Sequence, residues 1–199
     1  DITPADDHGV LLQRRTDRAE RHEVVRGEHP VERRLPRQQR ALDLEAVGVA
    51  AEIAAGEATF SHPWNPNSAI SGAQLGRMAG LKRTGGSLAE IAPGKESFVY
   101  HSHWTEEEWI YIISGHGIAE IGDEEFEVST GDFMGFPTPS VAHHLRNPYE
   151  EDLLYLVGGE NSDVEVADFP RLSKRMLRRG QDVEVYEVSD ARGFGPLDA

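Results

Sequence analysis

A chain of 199 residues is long enough for one well-buried domain with an extension, and too short for two ordinary ones. Its 35 acidic and 20 basic residues leave a formal charge of −15, which argues against phosphate backbones and anionic lipid surfaces as partners. There is no cysteine, so disulfide staples, thiolate metal sites and a cysteine nucleophile are excluded. No apolar run approaches the roughly 18 residues that a spanning helix needs. Asp1 opens no basic-then-apolar signal pattern, and a cytoplasmic location is the expectation.

Residues 1–55 read as an N-terminal extension, partly disordered or loosely docked. The first fifty residues hold nine arginines and no lysine, with pairs such as Arg14-Arg15 and Arg33-Arg34 and with Pro30 and Pro36 among the charges. Such a stretch is poorly suited to a core. The alanine-rich run from Ala41 to Ala55 suggests a short helix. Residues 56–81, with Pro63, Asn65, Pro66 and Asn67, read as a loop-rich lead-in.

From residue 82 to 160 the texture changes to short strands separated by turn signals. They fall near 86–92, 97–103, 107–113, 117–121, 125–129, 132–136, 142–147 and 152–158. Turns such as Ser114-Gly115-His116-Gly117 and Gly122-Asp123 lie between them. Even spacing without intervening helices predicts an antiparallel all-β sandwich or barrel. In residues 161–199, Pro170 to Arg179 reads as a helix. Leu172, Met176 and Leu177 share one face, and Gly180 stops it. Val183 to Val188 alternates and reads as a further strand, on a sheet edge or a dimer partner.

Chemistry concentrates in four places. His101 and His103 are two apart on a predicted strand, so their imidazoles project from one face. Glu106-Glu107-Glu108 opens the apolar strand Trp109 to Ile113, where a carboxylate needs a cation or donors to offset its desolvation. His143 lies on a later strand, just after Pro137-Thr138-Pro139. Three neutral imidazoles and one carboxylate would suit Mn, Fe(II), Co, Ni or Zn better than Ca or Mg. Four protein ligands would leave an octahedral ion two open positions, the mark of a catalytic site.

These residues resemble the cupin superfamily. Pro93-Gly94 through His101-Ser102-His103, then Glu108, six residues and Gly115, is similar to the first cupin motif. Gly131, five residues, Pro137, then His143, three residues and Asn147, is similar to the second. This chain has six residues rather than five between Gly94 and His101. Pro139 stands where a glycine is usual, and one extra residue precedes His143. The resemblance implies a double-stranded β-helix (jelly-roll) barrel binding one divalent transition metal through His101, His103, Glu108 and His143. His144 is the competitor for the last position; the spacing to Asn147 favours His143, and strand alternation turns His144 outward. The stretches 139–148 and 155–160 resemble small bacterial single-domain cupins of unassigned reaction.

The resemblance leaves two classes open. One is a metal-dependent enzyme acting on a small, oxygen-rich molecule by dioxygenase, decarboxylase, lyase or isomerase chemistry. The other is a non-catalytic cupin that binds or senses a small molecule. A homodimer is expected, with no nucleic-acid or membrane partner. Trp104 and Trp109 are expected at such an interface rather than in a pocket. Phe133, Met134 and Phe136 are expected in the core, and Asn147 in a turn. His62 and His116 are expected in loops, with His62 also a candidate for a lid over the metal.

Overall fold

A computed structural model of the protein describes residues 11–13 and 50–195. The expectations for the rest of the extension, and for residues 41–49 in a helix, lie outside the described residues. A short helix α1 does span Ala50–Ala55. The strands are β1 Leu11–Gln13, β2 Ala58–Phe60, β3 Ile70–Ala73, β4 Thr84–Ile91, β5 Ser102–His103, β6 Glu108–Ser114 and β7 His116–Ile121. They continue with β8 Glu124–Ser129, β9 Phe133–Phe136, β10 His143–Arg146, β11 Leu153–Glu160, β12 Val164–Phe169, β13 Lys174–Arg179 and β14 Asp182–Glu187. A one-turn helix α2, Leu75–Met78, follows β3.

The strands form three antiparallel sheets. One runs β1-β9-β6-β11-β4-β3-β2, a second β10-β7-β8, and a third β14-β13-β12-β5. The first two close on one another as a jelly roll. Alternation along each strand sends one set of side chains inward. Ile91, Ile112, Met134 and Leu153 are fully buried between these sheets, with Ile110, Ile121, Phe136, Leu145 and Tyr155 around them. A second, smaller core joins Val99, Ala167 and Phe169 beneath the third sheet, with Trp64, Leu172 and Met176 against it.

Segment 56–81 contributes two sheet strands beside its loops, because β2 and β3 extend the sheet outward from β4. Residues 11–13 likewise pair with β9 at the opposite edge.

The expected helix from Pro170 to Arg179 is not formed. A 3-10 turn, Pro170–Leu172, ends at Ser173 in the left-handed region, and the next six residues are β13. Local preference favoured a helix, since Lys, Arg, Met and Leu all form helices well. Cross-strand pairing outweighs it. Asp168 lies opposite Arg175 and Glu187 opposite Lys174, each as an ion pair. A helix would break both registers and withdraw Met176 from the second core. The expected strand at 183–188 is β14, which pairs with β13 along its length.

Candidate metal centre

The three sheets meet at one place, and each brings a chemically active side chain there. Glu108 is the first residue of β6, His143 the first of β10, and His103 the last of β5. His101 stands just before β5 and forms a single antiparallel bridge with His143. Ser140 ties the two histidine segments together: its N–H donates to the His103 carbonyl and its Oγ accepts from the His103 N–H, both at 2.7 Å.

One nitrogen or carboxylate oxygen from each of His101, His103, Glu108 and His143 lies within 4.8 Å of all the others. His143 Nε2 is 3.3 Å from Glu108 Oε1, and His103 Nε2 is 3.7 Å from Glu108 Oε2. His101 Nε2 and His103 Nε2 are 3.1 Å apart. The outer nitrogens are occupied elsewhere. His101 Nδ1 meets the Val99 carbonyl at 2.7 Å and His143 Nδ1 the Val141 carbonyl at 2.9 Å. A carbonyl only accepts, so both Nδ1 atoms carry the proton and both Nε2 lone pairs face the centre. His103 Nδ1 faces the Glu165 carboxylate at 3.3 Å, which favours the same tautomer. Converging lone pairs beside a carboxylate repel one another unless a cation or proton lies between them. This donor set therefore fits a divalent ion.

Electrostatics point the same way. Burial, with the neighbouring His143 and His103, pushes His101 down to about 3, so its ring is neutral at ordinary pH. Burial alone would raise Glu108. The close approach of His143 and of the other two imidazoles outweighs it and holds the carboxyl down to about 2. For His103, burial acts downward but is outweighed by Glu165 and Glu108, and the ring is raised. Glu108 keeps 23% of its side-chain surface open while His143 keeps 3%.

Strand alternation separates His144 from this group. Its ring is buried on the other face of β10, with Nε2 3.6 Å from Glu96 and Nδ1 3.7 Å from Glu120. Phe136, expected in the core, is buried there and also stacks on the His143 ring, with centroids 3.7 Å apart and planes at 12°. Asn147 fixes a turn as expected, donating to the Ile91 and Glu151 carbonyls at 2.8 and 2.7 Å. Trp109 lies on the outer face of the sheet, stacked with Phe133 and flat over Gly158, where an added Cβ would sit 2.3 Å from its ring. Trp104 is exposed and donates to Asp168 at 3.0 Å. His62 belongs to an aromatic group with Trp64, Phe98 and Phe169, and Phe169 in turn lies 6.3 Å from the His101 ring. His116 is exposed and pairs with Glu151.

A cavity of about 620 Å³ opens between the first sheet and α2; Phe60, Ile70, Met78 and Phe98 are among its walls, with Arg77 in its lining. None of the four clustered residues lines it. It reaches the barrel interior at Ser87, Tyr155 and Val157. Val157 pairs with Ile110, two residues along β6 from Glu108, a separation of about 7 Å by strand rise. The Tyr155 hydroxyl is pushed up by burial and by the Glu108 charge, so it stays protonated. Sequence reading missed Tyr155, because nothing in its strand distinguishes it from a core aromatic.

A closed antiparallel barrel carrying an imidazole–carboxylate group at the meeting of its sheets defines a class. The chain belongs to the cupin superfamily, and residues 87–159 match the family model for the cupin domain. It is similar to a crystallographically solved protein of Acidithiobacillus ferrooxidans, provisionally named a sugar phosphate isomerase. The two are 33% identical, with a TM-score of 0.73 over 77% of this chain and 99% of that one. A sugar phosphate isomerase of the cupin superfamily from Silicibacter pomeroyi shares the fold at 20% identity, with a TM-score of 0.62 over 68% of this chain and 87% of that one. An uncharacterised protein of Methanocaldococcus jannaschii is 40% identical over 62 residues, 31% of this chain. The matched region spans about half (49%) of that curated relative. Among the described residues, no helix is long and apolar enough to cross a membrane.

Proposed function

We propose that this protein is a metal-dependent enzyme acting on a small, oxygen-rich molecule, with isomerisation of a sugar phosphate as the reaction to test first. The observation that carries the reading is the convergence of three imidazole Nε2 atoms and the Glu108 carboxylate within 4.8 Å. The likeness to the Acidithiobacillus ferrooxidans protein, at 33% identity, supports the substrate class. His101, His103, Glu108 and His143 would hold one divalent transition metal. Bound there, the ion would act as a Lewis acid on a substrate hydroxyl or carbonyl oxygen. The remaining chemistry falls to the chain. Tyr155, kept protonated, can donate a hydrogen bond to a substrate oxygen. Phe136 holds the His143 ring in place and excludes water from its face. Arg77, a cation in the cavity lining, suits a phosphate group.

The test is elemental analysis of protein purified without added metal, followed by assay of the metal-loaded protein against aldose and ketose phosphates. Isomer interconversion that disappears on chelation and returns with metal supports the reading. Metal and ligand binding without turnover would instead support a non-catalytic binding cupin.

The protein is also proposed to form a homodimer through the outer face of the first sheet. Tyr111 and Ile113 of β6 project there with 42% and 37% of their surface exposed, next to Trp109 and Phe133. Light scattering at micromolar concentration, comparing wild type with Tyr111→Glu, tests this; a monomeric wild type rules it out.

A further inference from the structure

Among the described residues, Glu165 is the most deeply buried carboxylate. It lies on β12, outside the segment matched by the cupin domain model. It is 1% exposed, and a charge so buried persists only where donors surround it. Its donors are the Trp104 N–H at 3.2 Å, the Thr105 N–H at 3.2 Å, the Thr105 hydroxyl, and His103 Nδ1 at 3.3 Å. Three of these hold the turn that follows His103. The fourth holds the ring itself.

His103, Glu106 and Glu165 also lie close enough to suggest a second cation site. Glu106 is committed elsewhere, accepting from Arg178 and from the Ser162 N–H at 2.6 Å. Binding an ion there would also take His103 Nδ1 from Glu165 and put the ring proton on Nε2, which faces His101 and Glu108. One ring cannot serve both places in the same tautomer.

We infer that Glu165 is a positioning residue for the metal centre: it holds the proton on His103 Nδ1 and so aims the bare Nε2 at the ion. The C-terminal hairpin of β12 and β13 thereby becomes part of the site without touching the metal. This inference rests on the metal-binding reading of His101, His103, Glu108 and His143. A carboxylate behind a metal-bound imidazole fixes the ring and increases its basicity, and its loss typically weakens metal binding about 10- to 100-fold. Gln is nearly isosteric but uncharged, and whichever way its amide lies its N–H₂ meets a donor: the Trp104 N–H and His103 Nδ1 on one side, or the Thr105 N–H on the other.

The test uses the full chain, stripped and reloaded with Zn(II) for chelator competition, or with Co(II) for paramagnetic proton NMR. Wild type, Glu165→Gln, Glu165→Ala and Thr105→Val are compared. In the Co(II) form of wild type, three shifted, exchangeable ring N–H signals are expected, from His101, His103 and His143. Glu165→Gln should bind Zn(II) about 10- to 100-fold more weakly, and Glu165→Ala should lose one N–H signal to solvent exchange. Thr105→Val removes a hydrogen bond to the same carboxylate and leaves His103 paired, so it should bind like wild type. Glu165→Gln with wild-type affinity overturns the inference. So does an equal loss in Thr105→Val, which would make Glu165 an anchor of the turn only. Wild-type protein that takes up neither metal overturns the metal reading, and this inference with it.

Discussion

His101 and His143 face each other across a two-bond antiparallel bridge. The His101 N–H donates to the His143 carbonyl at 3.2 Å and the His143 N–H returns to the His101 carbonyl at 2.8 Å. The bridge fixes two imidazoles, one from β10 and one from the residue just before β5, with ring centroids 4.9 Å apart. Because it is made by backbone, it survives replacement of either side chain. The site can therefore be dissected without dismantling the barrel.

His143→Ala should bind metal more than about 100-fold more weakly, since losing a ligand costs more than losing a group behind one. His144→Ala should keep wild-type metal content, because that ring lies on the other face of β10 between Glu96 and Glu120. Elemental analysis of the two purified variants decides between the neighbours. The reverse result would mean that β10 is shifted by one residue.

Arg77→Ala should raise KM for a phosphorylated substrate by about tenfold or more, the loss of one charged hydrogen bond. Turnover at saturation should hardly change, because Arg77 lies in the cavity lining away from the clustered imidazoles. Steady-state kinetics on the metal-loaded protein separates the two constants. An unchanged KM would remove this cavity from the substrate path.

Gly115→Ala tests the fold rather than the chemistry. Gly115 adopts φ +84° between β6 and β7, and an added Cβ would sit 2.1 Å from the Asp152 carbonyl oxygen. The loss of stability should exceed the roughly 1–3 kcal/mol that a left-handed conformation alone costs a non-glycine residue. Urea unfolding with an unchanged slope would measure it.

Asp168 accepts both Arg175 Nε at 2.6 Å and Nη2 at 2.8 Å. The Arg175 guanidinium holds the Asp168 carboxyl below its usual range, against the upward effect of burial. A carboxyl depressed in the folded state binds fewer protons there than in the unfolded chain. Its contribution is therefore full above the unfolded value of about 4 and is lost as pH falls through the folded one. Wild type should exceed Asp168→Asn in stability at neutral pH, by no more than about 1 kcal/mol for a pair this open to solvent. The gap should close below about pH 4. Urea midpoints at several pH values check the sign, and a gap that widens in acid would contradict it.

The barrel strands and the pairing of His101 with His103 were legible because both follow from short-range rules, whereas Glu108 and His143 joined them through the resemblance to the cupin motifs. Alternation marks strands, and an i, i+2 pair of histidines on a strand must share a face. Glu165 was not legible. It is one acidic residue among 35, and its partner His103 lies 62 positions earlier in the chain. Segment 174–179 failed for a related reason: its residues form helices well, and only Asp168 and Glu187, brought alongside by the sheet, reveal it as a strand. Phe136 was read correctly as core, but its second role against His143 depends on a stacking geometry that no sequence pattern announces.

That three sheets each supply part of one cluster makes an ion there a mechanical fastener. The third sheet joins the site through the two-residue strand β5 and the side chain of Glu165. Stripping the ion would remove one of the ties across that junction. Amides of 164–187 should then exchange with solvent sooner than those of β6 or β11, and metal content would report how firmly the C-terminal hairpin is attached.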